Sequence, residues 1–126
     1  MRAVDTNVLV RLLVGDDTKQ LPAAETFVAV GAWVPQLAVA EAMWVLASVY
    51  GQRPDAIADA VEMLLDHQQL TIQGAETVAA ALTVFRRHPS VGFTDCLLLE
   101  VARKAGHVPL GTFDRGLSKL ESTQKL

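Results

Sequence analysis

The sequence predicts an α/β fold of three layers, α/β/α, with a central parallel sheet of four or five strands. Short apolar segments suited to buried strands, at 2–4, 32–34, 70–72 and 108–111, alternate with longer stretches of helical period. Gly and Pro punctuate the chain at short intervals, and no repeat, low-complexity stretch or long linker interrupts the alternation. At 126 residues the chain is expected to form one domain, residues 1–126, large enough to bury a core without disulfides.

The elements follow in order. Arg2 to Val4 reads as a short buried strand, followed by helices from Val8 to Val14 and from about Pro22 to Val30. Ala32 to Val34 is a second strand, ended by Pro35 because proline cannot donate to a ladder. Leu37 to Tyr50 carries apolar residues at 40, 43, 44 and 47, a helical stripe closed by Gly51. Pro54 stands at the favoured first position of a helix running to His67. That helix sets Ile57, Val61, Leu64 and Leu65 against Asp55, Asp59, Glu62 and Asp66 on the opposite face, the arrangement of an ordinary solvated acidic stripe. Leu70 to Ile72 is a third strand, Ala75 to Arg87 a helix ended by Pro89, Thr94 to Ala105 a helix stopped by Gly106, and Val108 to Gly111 a final strand.

Composition narrows the function classes. Hydrophobic residues make up 51% of the chain and mean hydropathy is +0.28, yet no apolar run approaches the roughly 20 residues of a membrane span. A soluble protein is expected, and the apolar surplus suggests a further buried surface, most simply a homodimer interface. MRAVDTNVLV lacks the pattern of a signal peptide, so an intracellular, cytoplasmic location is expected. The single cysteine, Cys96, agrees with a reducing compartment, and His67, His88 and His107 lack the spacing of a zinc site.

Four acids sit in apolar sequence: Asp5 in VDTN, Glu41 in VAEAMW, Asp95 in FTDCLL and Asp114 in TFDRGL. Buried and brought together, such carboxylates would repel or take up protons, and a divalent cation removes both problems. Net charge is −3, but setting those four of the 14 acids aside leaves 10 against 11 bases, a formal +1. Arg103, Lys104, Arg115, Lys119 and Lys125 concentrate that positive charge near the end of the chain, where a polyanion could approach.

Each acid has a plain alternative. Asp5 and Asp114 follow predicted strands, on the rim where open α/β sheets bind ligands. Asp5 would equally cap the next helix, and Asp114 would equally form a polar turn. Asp95 shares a register with Leu98, Leu99 and Ala102, so an inward stripe opens with a carboxylate; its alternative is a first-turn acid with Thr94 as cap. Glu41 lies one turn from Leu37, Trp44 and Val45 and alone reads as an ordinary helical glutamate. Thr6, Asn7 and Thr112 suit a supporting shell or simple turns, with the turn favoured for Thr6. Arg115 suits a surface turn or a phosphate contact, and Cys96 a small buried hydrophobe.

An all-oxygen acidic set selects hard cations, magnesium or manganese, and the expected chemistry is phosphodiester hydrolysis by a metal-activated water that leaves a 5′-phosphate. Asp5 and Asp95 are the expected direct ligands. Asp114 completes a second metal position, and Glu41 binds metal through water or serves as general base.

Taken together, DTNVLVRLL, AEAMWVLASVY, GFTDCLLLEVARKAG and PLGTFDRGL resemble a PIN-domain ribonuclease, and more specifically the VapC-type toxins of bacterial toxin-antitoxin pairs. The resemblance runs from Val4 to about Leu117, with 52–89 as generic amphipathic helix. It implies an acidic quartet at Asp5, Glu41, Asp95 and Asp114, with Asn7 and Thr112 in support. Cys96 departs from the alanine of many relatives. It further implies a homodimeric, magnesium-dependent endoribonuclease acting on structured or single-stranded RNA, and a small antitoxin whose tail blocks the acidic groove.

Two readings from other classes compete. A non-catalytic RNA or protein binding module on the same fold would use the surface without cleavage. A phosphoryl-receiver signalling domain needs its acceptor aspartate at the end of the third strand and a lysine at the end of the fifth, whereas the third predicted strand here ends Thr71, Ile72, Gln73 and the last ends Gly111, Thr112.

Overall fold

The computed structural model describes residues Met1–Leu126. In chain order the elements are β1 (Arg2–Ala3), α1 (Thr6–Val14), α2 (Gln20–Val28), β2 (Ala32–Val34), α3 (Gln36–Ser48), α4 (Pro54–Asp66), β3 (Leu70–Ile72), α5 (Ala75–Arg87), α6 (Phe93–Ala105), β4 (Leu110–Thr112) and β5 (Thr123–Lys125), with a 3-10 turn at Leu117–Lys119. All strand pairings are parallel, in an α/β/α arrangement of the predicted class.

The ladders are not continuous. Hydrogen bonds join β1, β2 and β3 in that order, and β4 pairs with β5 separately. The register sets Arg2 against Ala32, Ala32 against Leu70, and Thr112 against Lys125. β1 departs from the predicted buried strand, because Arg2 and Ala3 are exposed and only Val4 enters the core. With only two ladder residues, β1 forms an edge, where Arg2 lies 3.9 Å from the centre of the Phe27 ring. Val108 to Gly111 is not the last strand either, since β5 follows it.

The helices form near their predicted spans, but α3 buries Ala38, Val39, Ala42, Met43 and Leu46, leaving Trp44 and Ala47 of the predicted stripe exposed. Pro54 is the first residue of α4, and Gly106 ends α6 at φ 82°, a conformation that glycine adopts without steric cost. The acidic stripe of α4 faces solvent, with Asp59 and Glu62 near Arg86 of α5 at 3.6 and 3.3 Å. Leu9 of α1, Val39 and Leu46 of α3, Val61 of α4 and Leu99 of α6 are fully buried in one core cluster that also takes in Val34 and Ile72 of the sheet. Phe85 of α5 meets Phe93 edge-on at 5.9 Å between ring centres, which fixes the start of α6 and with it Asp95. No helix is long and apolar enough to cross a membrane.

Candidate functional site

None of the four acids is buried. Asp5, Glu41 and Asp114 are exposed and Asp95 is partly covered, and the core holds no charged or polar residue. The expectation of buried carboxylates fails for a geometric reason. Each acid stands at a strand end or on the open side of a helix, so its apolar neighbours point into the core while its own side chain emerges at the rim.

Asp5 stands one residue beyond the end of β1, after Val4, and caps α1, its Oδ1 accepting from the Val8 N–H at 3.2 Å. This is the capping role expected of Asp-Thr-Asn, and it leaves Oδ2 outside that bond. The next residue departs from expectation. Thr6 is no mere turn residue, since its hydroxyl donates to Glu41 Oε2 at 2.9 Å and ties the start of α1 to α3.

Glu41 lies on the solvent side of α3 together with exposed Leu37 and Trp44. One residue earlier, the Ala40 carbonyl accepts from the Thr94 hydroxyl at 3.4 Å. Thr94 therefore does not cap α6. The cap position falls to Gly92, with no side-chain bond, because the helix begins at Phe93.

Asp95 follows, in the first turn of α6. The buried stripe of this helix is Phe93, Cys96, Leu97 and Leu99, while Leu98 is exposed, so Asp95 sits at the margin of the stripe instead of opening it. Burial raises its pKa above the ordinary 3.8, and the nearby charge of Asp114 raises it further. The Cys96 thiol behind it is pushed up to about 11, first by burial and then by Asp95 and Glu100.

Asp114 follows β4. Its Oδ1 accepts from the Leu117 N–H at 2.8 Å, and its own N–H donates to Thr112 Oγ1 at 3.0 Å. A Cβ at position 116 would stand 3.3 Å from Asp114 Oδ1, so a larger residue there would press on this carboxylate. Among the basic residues, Arg103 and Lys104 turn toward Glu100 and Glu76, at 3.4 and 3.9 Å. The Arg103–Glu100 approach lacks hydrogen-bond geometry at Nε. Arg115 adjoins Asp114, and Lys125 stands opposite Thr112 across the ladder.

The structure thus links Thr6 with Glu41 and Asp114 with Thr112 by hydrogen bonds, the Thr94–Ala40 bond joins the helices that carry Glu41 and Asp95, and Asp114 is near enough for its charge to act on Asp95. Asn7 is exposed and lines a hollow with Arg11, Gln20 and Phe27. Of the two readings open to Thr6, the supporting contact holds and the favoured turn does not, while the bond from Thr94 to Ala40 has no signal in the sequence.

No group of three or more His, Cys, Asp or Glu side chains lies close enough together to hold a metal ion. The donors still fit a hard cation. Magnesium keeps several waters and needs only one or two carboxylates beside substrate phosphates, and a divalent charge would relieve the repulsion between Asp95 and Asp114.

Parallel strands among packed helices, with carboxylates at strand ends and helix starts, define the class: an α/β/α domain with an acidic rim. The sequence matches the PIN domain family over residues 2–122, and the chain belongs to that family. PIN domains are generally metal-dependent nucleases that typically bind divalent metals. No curated protein and no solved structure matches the chain.

Proposed function

We propose that the chain is a magnesium- or manganese-dependent endoribonuclease and the toxin of a type II toxin-antitoxin pair. The observation that carries the nuclease reading is the match to the PIN domain family over residues 2–122, with Asp95 partly covered and Asp114 near enough for its charge to act on it. Asp5 and Asp95 are the proposed metal ligands, Asp114 completes the site, and Glu41 orients water or accepts its proton. A divalent cation bound there supplies charge neutralisation and lowers the pKa of water.

The chain's own groups do the rest. Thr6 fixes the carboxylate of Glu41 in one orientation. The Leu117 N–H and the Thr112 hydroxyl fix the turn that carries Asp114. Arg115 and Lys125 offer positive charge beside that turn for the RNA backbone. Attack by water, and not by the 2′-hydroxyl, leaves 5′-phosphate ends.

The toxin assignment rests on the likeness of the four motifs to VapC-type proteins, and it brings a small antitoxin as partner. The homodimer rests on the apolar surplus and on exposed Leu98 and Val101 of α6, the surface it would cover. A purified sample incubated with mixed RNA, with and without magnesium, tests the activity through cut sites and end chemistry.

A second reading, a non-catalytic binding module, is favoured by one observation: Asp5 and Asp114 each already commit an oxygen to a backbone N–H. It predicts that Asp95→Asn leaves RNA affinity intact with no metal-dependent cleavage to lose.

A further inference from the structure

A hollow of about 420 Å³ opens beside Asp95, lined by Trp44, Gln52, Pro54, Ile57, Phe93 and Asp95 among others. Its wall is firm, since Ile57 and Phe93 are buried in the core. Its mouth is not, since Trp44 is 61% exposed. Trp44 also stands three residues after Glu41, on the same face of α3. A second hollow of about 460 Å³ shares Pro54, Phe85 and Pro89 with the first and is also lined by Arg53 and Arg86.

An indole left in water beside two carboxylates costs apolar hydration without any return in folding. A base stacked on it recovers that loss, and single-stranded RNA presents bases free to stack. Gln52 supplies an amide able to meet the edge of such a base. Arg53 lines the adjoining hollow next to Pro54, which both hollows share. Its one ion pair, with Asp55 at 3.9 Å, joins two solvent-exposed side chains and competes weakly. Arg86 is less free, because Asp59 and Glu62 hold it. A protein partner laid over this hollow would cover the Asp95 carboxylate and supply no phosphate for Arg53.

We propose that the hollow beside Asp95 is a base-binding subsite for single-stranded RNA, with Trp44 as its stacking platform, Gln52 as its polar contact and Arg53 as the neighbouring phosphate contact. The proposal deepens the nuclease reading and rests on it. It makes Trp44 a specificity-determining residue, setting which base lies next to the cut.

The test measures anisotropy of a labelled single-stranded RNA decamer and of its duplex, with magnesium, in an Asp95→Asn background so that no cleavage intervenes. Trp44→Ala is expected to weaken single-strand binding by about five- to a hundredfold, with Trp44→Phe within about threefold of the parent and duplex binding unchanged. In the otherwise native protein Trp44→Ala is expected to broaden the base preference at the cut. Single-strand affinity unchanged within twofold on Trp44→Ala overturns the subsite, and so does a loss that follows a change in oligomeric mass, which would mark a protein-docking surface. The two readings fail separately. Unaltered affinity in a protein that cleaves RNA sinks the subsite alone, whereas a Trp44-dependent loss in a protein that never cleaves sinks the nuclease reading alone.

Discussion

The hydroxyl of Thr6 donates a 2.9 Å hydrogen bond to Glu41 Oε2 across 35 residues of sequence. The residue after the first acid thus holds the second, so α1 and α3 present Asp5 and Glu41 in a fixed relation. Thr6→Val is expected to lower cleavage by up to about tenfold, the worth of one ordinary hydrogen bond, with little change in melting temperature. Thr6→Ser is expected to restore it. Assays of both variants at saturating magnesium check this, and equal activity in Thr6→Val would show that the bond does not orient Glu41.

Asp95 has a pKa raised by burial and by Asp114. The sign follows from linkage. A carboxyl whose folded pKa lies above its unfolded one holds its proton more tightly in the folded state, so folding loses stability as pH climbs from the ordinary 3.8 through the raised value. Asp95→Asn removes that loss. Without metal the variant is expected to melt above wild type at neutral pH, and the gap is expected to close as pH falls to 3.8 and below. Urea melts in chelator across this range check the claim, which a constant gap would refute.

Metal binding is expected to reverse that order. Magnesium at a hundredfold over its dissociation constant stabilises a folded protein by about 2.7 kcal/mol. Wild type should therefore gain stability on titration with magnesium while Asp95→Asn gains little. Differential scanning calorimetry of the two proteins measures it, and equal gains would place the ion elsewhere.

The Cys96 thiol, fully buried and pushed up to about 11, is expected to be inert. A thiol reagent at pH 8 should leave the native protein unmodified and label one group after denaturation. Rapid native labelling would contradict the packing of α6.

That packing also carries the site. Leu99 is fully buried one turn after Asp95, and Leu99→Ala is expected to cost about 2–5 kcal/mol in a denaturant melt.

Much of this was legible in the sequence because helices announce themselves. The stripe of Ile57, Val61 and Leu64, the proline at 54 and the glycine at 106 all fall where α4 and α6 begin, pack and end. β5 was not legible: Thr123, Gln124 and Lys125 carry no apolar period, and the strand exists through its pairing with Leu110 to Thr112. The sequence offers the four acids as candidates but not their exposure, because apolar neighbours in sequence do not fix the direction of a side chain at an element's end. The bond from Thr6 to Glu41 and that from Thr94 to Ala40 span distant segments and leave no local trace.

The most direct measurement is cleavage of a mixed RNA pool by wild type and Asp95→Asn, with magnesium and with chelator, followed by analysis of the new ends. The account predicts cuts by wild type in magnesium alone, ending in 5′-phosphates, and none by Asp95→Asn. Cleavage that survives chelator, or ends in 2′,3′-cyclic phosphates, would contradict it.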